Sequence, residues 1–348
     1  MNDFVREKKI NNIVDGDYRD LPDLLSSFQK GGKIALIFDD KIGKDIIENY
    51  YEALAEADFE VYKFAVTAGE ICKSISEYSN MVNSLAAVNF GRKDSLVLIG
   101  GGSLGDMGGF VAASYLRGIR YIQVPSTLLA MVDSSIGAKT GINLDAGKNL
   151  LGAFYYPEFI LRDMAFLKSL PEKYFWDGFA EVIKYAMLSS NIYDLIIDKS
   201  KLEKNLEAII KSCADYKIGI VEVDCHEQNQ RKLLNFGHTF AHAIERASGY
   251  KVSHGEAVAK GMAMMTRISA EENWCERKTL DILMDLLCEY GYSVGIEFDA
   301  DELLTYIRMD KKTDGESIDL VIPAASHRCE IKRLRLETFE NIVRKYLK

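Results

Sequence analysis

The chain has 348 residues, which suits two domains, and its 48% hydrophobic and 27% charged residues are typical of a globular protein. Its formal net charge of −9 argues against a general nucleic-acid or anionic-membrane surface. An anionic ligand would therefore need positive charge gathered locally in its site.

The first ten residues, MNDFVREKKI, are charged and lack the apolar core of a signal peptide. We find no uninterrupted apolar run long enough to span a membrane, so no membrane segment is expected. The six cysteines are scattered and include no CxxC pair. This pattern favours a cytoplasmic protein with reduced thiols.

Residues 1–170 alternate β-rich runs with amphipathic helical stretches, including 43–58 and 70–90. Strand and helix in alternation predict a parallel sheet with right-handed crossovers. The first domain is therefore expected to be an α/β, Rossmann-like parallel-sheet domain. The predicted strands are 33–40, 59–66, 95–102, 120–127 and 158–163.

From Pro171 onward the pattern is helical nearly throughout, with Gly249 and Gly291 as expected helix ends. One short apolar run, SIDLVIP at 317–323, predicts a small β-ribbon. The boundary is placed near 168–172, which gives an α/β domain over 1–170 and a mainly helical domain over 171–348.

A glycine-rich turn, GGGSLGD at 100–106, follows the strand SLVLI and opens a helical run from Met107 to Leu116. Glycines let the backbone approach a pyrophosphate, and the helix N-terminus offers unpaired N–H groups. The alternative is a tight turn without a ligand. The acidic residue usual at the end of the next strand is missing, because that strand ends at Pro125-Ser126-Thr127. Asp39 and the segment 69–73 are then the expected ribose and adenine contacts.

Three of the five histidines lie close together in sequence, at His238, His242 and His254. His238 and His242 are four apart and share a helix face. Catalytic divalent metals favour histidine and carboxylate ligands, and Glu181, in the apolar stretch GFAEVIKYAM, is the candidate carboxylate. Alternatively, Glu181 and Lys184 form an i, i+3 ion pair, and the histidines are core residues.

The segment DSSIGAKTGINLDAGKN, at 133–149, places Lys139 and Lys148 among glycines. A flexible loop with spaced lysines can grip phosphate or carboxylate, although a solvated surface loop is the alternative. Further basic residues, Lys184, Lys217 and Arg231, flank the metal candidates. In an acidic chain, this clustering favours an anionic ligand.

Together these segments resemble the 3-dehydroquinate synthase family. The matching runs follow the family's order through the middle of the chain: GGGSLGDMGGFVAASYLRG, VPSTLLAMVDSSIGAKTGIN, GKNLLGAFYYP, GFAEVIKYA, RKLLNFGHTFAHAIE and HGEAVAKGM. Ser126 stands where many members have threonine, and Ala68 where an aspartate is common. The change at Ala68 weakens the expected adenosine contacts.

The resemblance implies that Glu181, His238 and His254 bind zinc or cobalt, and that His242 lies beside the substrate instead of ligating. It implies substrate contacts at Asp133, Lys139, Asn149, Lys184, Lys217, Arg231, Asn235, His242 and one or both of Lys311 and Lys312. Arg117 resembles the residue that family members contribute across a dimer interface, so a homodimer is expected.

The resemblance also implies that NAD is a cofactor. Its implied contacts are Gly69, Glu70, Lys73, Gly102, Ser103, Leu104, Gly105, Asp106, Ser126, Thr127, Lys139, Lys148, Phe166, Leu167, Lys168 and Ser169.

The implied activity is that of a lyase of the shikimate route to aromatic amino acids, which converts 3-deoxy-D-arabino-heptulosonate 7-phosphate into 3-dehydroquinate and phosphate. The steps are oxidation by NAD, β-elimination of phosphate, reduction and an aldol closure. The alternatives are a metal-dependent polyol dehydrogenase, another sugar-phosphate cyclase and a catalytically inactive homologue. The run VDSSIGAKTGIN matches the dehydroquinate branch of the cyclases.

Overall fold

The structure, a computed structural model, describes residues 12–309, 313–314 and 316–347. The chain forms two compact units that divide between Phe175 and Trp176. The division falls at the end of the first turn of a helix that begins at Glu172, just after the segment predicted as a linker. No helix of the described residues combines the length and apolar character needed to cross a bilayer.

The first unit is built on a parallel sheet, as the alternation of strands and helices predicted. Within the described residues, six strands pair in the order β1-β8-β5-β4-β2-β3, and every ladder in this sheet is parallel. The elements of this unit are β1 (Ile13–Asp15), α1 (Leu21–Ser26), β2 (Lys33–Asp39), α2 (Lys44–Glu56), β3 (Glu60–Val66), α3 (Ile75–Ala87), β4 (Ser95–Gly100), α4 (Gly102–Ser114), β5 (Arg120–Pro125), β6 (Lys139–Leu144), β7 (Gly147–Phe154), β8 (Phe159–Arg162) and α5 (Ala165–Ser169).

The strand β4 lies in the middle of this sheet and is buried along its whole length. That burial explains its unbroken apolar sequence, because a central parallel strand is covered on both faces. Helix α4 packs closely on it, since a Cβ atom at Gly108 would come within 2.7 Å of the Leu98 side chain. The edge strand β1 was not predicted, because three residues are too short to show a period.

The segment 133–149 is not the open glycine-rich loop that the sequence predicted. Residues Ala130–Ser134 form a helical turn, and β6 and β7 pair as an antiparallel hairpin. Gly141 and Gly152 face each other in this pair, where a Cβ atom at Gly152 would lie 2.1 Å from Thr140 O. The glycines thus allow close contact of two strands, and the lysines project from a defined ribbon.

The second unit is mainly helical, as predicted, with one small antiparallel sheet in the strand order β11-β10-β9. The predicted ribbon at 317–323 is the greater part of its central strand. The elements are α6 (Glu172–Ala186), α7 (Ser190–Ile196), α8 (Leu202–Val223), α9 (His238–Ala247), α10 (His254–Glu271), α11 (Arg277–Glu289), α12 (Ala300–Met309), β9 (Thr313–Asp314), β10 (Ser317–Ala325), β11 (Arg328–Arg335) and α13 (Leu336–Tyr346).

Candidate functional site

Three helices of the second unit bring one carboxylate and two imidazoles together. Glu181 lies in the middle of α6, whereas His238 and His254 are the first residues of α9 and α10. One potential ligand atom from each residue lies within 4.8 Å of the other two. Within the described residues, this is the one group of histidine, cysteine or acidic side chains that could hold a metal ion.

Glu181 is the centre of this group. Its Oε1 atom lies 3.1 Å from His254 Nε2 and 3.3 Å from His238 Nε2. Its Oε2 atom lies 2.5 Å from the ammonium nitrogen of Lys184. The i, i+3 ion pair of one alternative and the carboxylate–histidine cluster of the other therefore occur together, because they use different oxygens of one carboxylate.

Close contacts of α10 with α6 and α9 set the positions of the two histidines. The Gly255 N–H, in the first turn of α10, donates to Asp177 Oδ1 on α6 at 2.6 Å. Gly237 precedes α9 with a φ of +81°, and a Cβ atom at Gly261 would lie only 2.1 Å from Gly237 O. A side chain at Gly261 would therefore push α9 and α10 apart, and the ligand atoms with them.

The contacts of the two imidazole rings orient one nitrogen of each ring toward Glu181. His238 Nδ1 lies 3.1 Å from Phe236 O, and because a carbonyl only accepts, Nδ1 carries the proton. The lone pair of His238 is then on Nε2, which faces Glu181. His254 has its Nδ1 atom 3.7 Å from Glu245 Oε1, so this ring lies between two carboxylates.

The electrostatics of the three side chains differ because of their neighbours. Burial favours the neutral form of Glu181, but Lys184 and His238 outweigh it and hold the pKa of this carboxyl well below its usual range. Burial lowers the pKa of His238 to about 4, despite the nearby Glu181. Burial also acts against the charged form of His254, but Glu181 and Glu245 raise its pKa to about 10.

This donor set fits a catalytic divalent metal. Two imidazole nitrogens and one carboxylate are a common protein contribution to zinc sites that leave a position for substrate or water. His242, which shares a helix face with His238, is not a member of the group, and its ring centroid lies 5.5 Å from that of His238. His242 therefore lies beside the candidate metal group without being part of it, and its expected place beside the substrate stays a prediction.

Three of the predicted substrate contacts are buried cations, namely Lys184, Lys217 and Arg231. Arg231 follows a loop held by Asp224, whose carboxylate accepts backbone N–H groups from Gln228, Asn229 and Arg231 at 2.6–3.0 Å. The Arg231 guanidinium donates to Cys225 O at 2.7 Å.

Asn235, another predicted substrate contact, donates to Glu227 Oε1 at 2.6 Å. Lys311 and Lys312 lie outside the described residues.

In the first unit, most of the predicted cofactor residues lie at or after the carboxyl ends of parallel strands. Asp39 ends β2, the glycine turn follows β4, and Ser126 follows β5, where its N–H donates to Gly100 O at 2.9 Å. Gly69 follows β3, and the segment 166–169 follows β8. This edge of an open α/β sheet is where ligands bind.

A polar network joins several of these residues at the start of α4. Glu70 accepts from Ser103 Oγ at 3.0 Å and from Asn143 Nδ2 at 2.8 Å. Lys73 is 3% exposed and donates to Asp106 at 2.6 Å and also to Asn149. Burial would lower the pKa of Lys73, but Asp106 and Glu70 outweigh it and raise the pKa.

Four other predicted cofactor and substrate residues differ in how far they are buried. The Phe166 side chain is buried and stacks on Tyr50 at 6.0 Å, so its ring belongs to the core. The Leu104 side chain is buried too. Lys139 is exposed at the start of β6, and Asp133 lies in the helical turn before it.

Arg117 is an exposed residue in a strained turn. Leu116 and Arg117 have φ angles of +50° and +68°, in the left-handed region that side chains rarely adopt. Arg117 and the apolar side chain of Leu116 are both exposed at this turn.

Sequence reasoning missed three residues of these sites, Asn143, Asp224 and Glu245. Asn143 and Glu245 lie inside motifs that were matched to the family, but short polar residues within a motif do not reveal which neighbours they contact. Asp224 follows a long helix, where an aspartate that caps a loop is common.

Two family models match the chain consecutively. One, described as "3-dehydroquinate synthase N-terminal", matches residues 63–177, and another, described as "3-dehydroquinate synthase C-terminal", matches residues 178–313. The 3-dehydroquinate synthase of Clostridium kluyveri is 37% identical over 339 residues, which cover 95% of this chain and 94% of that protein.

Solved structures of sugar-phosphate cyclases share the fold. A 2-deoxy-scyllo-inosose synthase complexed with carbaglucose-6-phosphate, NAD+ and Co2+ aligns with a TM-score of 0.85 and 25% identity over 96% of each chain. The 2-epi-5-epi-valiolone synthase of Streptomyces hygroscopicus, with NAD+ and Zn2+ bound, aligns with a TM-score of 0.87 and 22% identity over 99% of this chain and 98% of its own. The predicted fold class is confirmed.

Proposed function

Because the chain belongs to the 3-dehydroquinate synthase family, we propose that it converts 3-deoxy-D-arabino-heptulosonate 7-phosphate into 3-dehydroquinate and phosphate. The enzyme is then a phosphorus–oxygen lyase of the shikimate route, and it works with NAD and a divalent metal. The observation that carries the proposal is the buried Glu181 carboxylate, which faces the Nε2 atoms of His238 and His254.

Glu181, His238 and His254 would hold the metal, zinc or cobalt. When bound, NAD accepts and returns a hydride, and the metal lowers the proton affinity of the substrate hydroxyl oxygens. Glu181 keeps its negative charge at neutral pH because its pKa is held low, so it remains an anionic ligand. The tautomer of His238 is fixed by the Phe236 carbonyl, which leaves Nε2 for the metal.

Lys184, Lys217 and Arg231 would neutralise the phosphate and carboxylate of the substrate. They are buried cations in a chain of net charge −9, and burial strengthens their attraction to an anion. Asn235 and His242 complete this group, with His242 placed one helical turn after a metal ligand to move a proton from the reacting hydroxyl. Asp133, Lys139, Asn149 and one or both of Lys311 and Lys312 are the remaining proposed substrate contacts.

NAD would bind in the first domain, residues 1–170, whereas the metal ligands and most of the proposed substrate contacts belong to residues 171–348. The glycine turn 102–106 offers the N–H groups at the start of α4, and Glu70 and Lys73 lie beside it. The other proposed cofactor contacts are Asp39, Gly69, Ser126, Thr127, Lys139, Lys148 and the segment 166–169. We also propose a cytoplasmic homodimer in which Arg117 reaches the partner's site.

The test is release of phosphate from the heptulosonate phosphate, measured together with NADH absorbance. A 3-dehydroquinate synthase releases one phosphate per turnover with no net NADH. A metal-dependent polyol dehydrogenase would instead accumulate NADH in proportion to an alcohol substrate. Phosphate release from a hexose phosphate in place of the heptulosonate would favour another sugar-phosphate cyclase, and no turnover of any of these substrates would contradict the proposal.

A further inference from the structure

The imidazole of His254 lies between two carboxylates. Its Nε2 atom is 3.1 Å from Glu181 Oε1, and its Nδ1 atom is 3.7 Å from Glu245 Oε1. The proposed function gives Glu181 a role as metal ligand, but it gives none to Glu245.

Glu245 is buried, with 9% of its surface exposed, although an acidic residue is rarely buried without a partner. It lies on α9, the helix that begins with His238, and it is two turns further along the same face. One helix therefore carries a metal ligand at its first residue and, near its end, a carboxylate directed at another ligand. This arrangement ties α9 to the first residue of α10.

The two histidines have different partners on their outer nitrogens. His238 Nδ1 donates to a neutral backbone carbonyl, that of Phe236, at 3.1 Å. His254 Nδ1 faces an acidic side chain instead. An anionic acceptor on Nδ1 fixes the tautomer and makes Nε2 the more basic ligand atom, which strengthens metal binding.

We propose that Glu245 is a positioning residue of the metal centre. Its carboxylate accepts a hydrogen bond from the Nδ1–H group of His254 and thereby orients Nε2 toward the metal. This inference rests on the proposed function for the identity of the metal ligands. The present separation of 3.7 Å is longer than a hydrogen bond. The proposal requires the two groups to approach to hydrogen-bonding distance when the metal is bound.

The first experiment compares Co2+ affinity in the full-length wild-type protein and in Glu245→Gln. The metal is removed with a chelator, and Co2+ is added back in competition with a chromophoric chelator. We expect Glu245→Gln to bind Co2+ about 10–100-fold more weakly, because glutamine keeps the size but loses the charge. An affinity equal to that of the wild type would overturn the proposal.

Glu256→Gln is the matched control. Glu256 stands in the first turn of α10, like His254, but its carboxylate is 43% exposed and pairs with Lys260. Glu256→Gln removes the same charge as Glu245→Gln, close to His254 in sequence, but the carboxylate it removes pairs with Lys260. We expect its Co2+ affinity to equal that of the wild type, and an equal loss in both variants would assign the effect to general charge and contradict the proposal.

A second measurement needs no variant and so survives poor folding of Glu245→Gln. In the Zn2+-loaded wild-type protein labelled with 15N-histidine, the Nδ1 proton of His254 should be visible and shifted downfield by its carboxylate acceptor. Rapid exchange of that proton with water would overturn the proposal.

Neither measurement uses NAD or substrate. If Co2+ binding depends on Glu245 but no phosphate is released, the proposed function is contradicted and this inference stands. If phosphate is released but Co2+ affinity does not depend on Glu245, the proposed function stands and this inference is contradicted.

Discussion

Glu181 determines the charge of the metal centre at the scale of single residues. Its side chain is fully buried, and its two oxygens divide between an ammonium group and two imidazoles. Replacing Glu181 with glutamine would leave the buried Lys184 ammonium beside a neutral amide, and an uncompensated charge is costly in a low-dielectric interior. Metal binding and stability are therefore coupled at this one residue.

We predict that Glu181→Gln loses its metal and abolishes phosphate release while the chain remains folded. The variant should also lower the free energy of unfolding by about 3 kcal/mol, because Lys184 loses its partner. Metal content after dialysis, phosphate release and urea unfolding measure the three effects. Glu172→Gln, at the exposed start of the same helix, is the control and should behave like the wild type. Full metal content in Glu181→Gln would remove Glu181 from the ligand set.

The pKa values of the two histidines predict how metal binding depends on pH. The raised pKa of His254, about 10, means that this ring holds a proton at neutral pH, whereas His238, with a pKa of about 4, does not. A metal must displace the proton on His254, so affinity should increase with pH between these two values, by about tenfold per pH unit.

Calorimetry in buffers of different ionisation enthalpy should show about one proton released per Co2+ bound at neutral pH. The count should increase below about pH 4, where His238 also takes a proton. Binding that releases no proton at neutral pH would contradict this prediction.

At the scale of secondary-structure elements, the loop after α8 positions a cation of the site. Asp224 accepts three backbone N–H groups of the segment 228–231, and Arg231 is 2% exposed at the end of that segment. Burial would raise the pKa of Asp224, but these backbone donors and Arg231 outweigh it and lower the pKa, so the carboxylate stays charged.

We predict that Asp224→Ala raises KM for the heptulosonate phosphate by about tenfold, because hydrogen bonds to a charged group contribute about 1.5–3 kcal/mol. The proposed chemistry does not use Asp224 directly, so kcat should change less than KM. Steady-state phosphate release measures both constants. The control is Glu222→Ala, two residues earlier and exposed. An unchanged KM would separate this loop from substrate binding.

The β6–β7 hairpin is the second element with a testable role. It carries Lys148 next to Asn149, which is bonded to the buried Lys73. We predict that Lys148→Ala raises KM by about tenfold through the loss of one charged contact to the substrate or the cofactor phosphates. Lys93→Ala, exposed before β4, is the control. Saturation curves with each of the two ligands varied identify the contact, and equal KM values throughout would place the hairpin outside the site.

At the scale of the whole molecule, three buried cations of the second unit are opposite in sign to the net charge of the chain. The chain has a net charge of −9, yet Lys184, Lys217 and Arg231 are all buried in the second unit. Burying cations is unfavourable unless anions compensate them, and within the protein Glu181 is one such anion. An anionic substrate would supply more.

The proposed dimer gives a prediction for mixed subunits. If Arg117 acts in the partner's site, Arg117→Ala and Glu181→Gln homodimers are both inactive, but a mixed dimer contains one complete site. Unfolding and refolding the two variants together should therefore restore part of the phosphate release. A mixture of Glu181→Gln and His254→Ala, whose lesions fall in the same site, should stay inactive. Absence of recovery in the first mixture would place Arg117 outside the partner's site.

Much of the fold was predictable from local patterns. The strands of the parallel sheet and the helical second unit follow from hydrophobic periodicity, which local sequence records directly. The hairpin at 139–154 was misread as a loop, because glycines that let two strands approach look the same in sequence as glycines that make a loop flexible.

The sequence by itself determined the alternation of strands and helices, the glycine turn and the candidate side chains, because each depends on near neighbours. It left open whether Glu181 pairs with Lys184 or meets the histidines, and it could not show that Glu245 faces His254. Only the tertiary structure decided these points. Residues distant in the chain meet where α6, α9 and α10 begin or cross, and the contacts at Gly237, Gly255 and Gly261 that set those distances have no local signature.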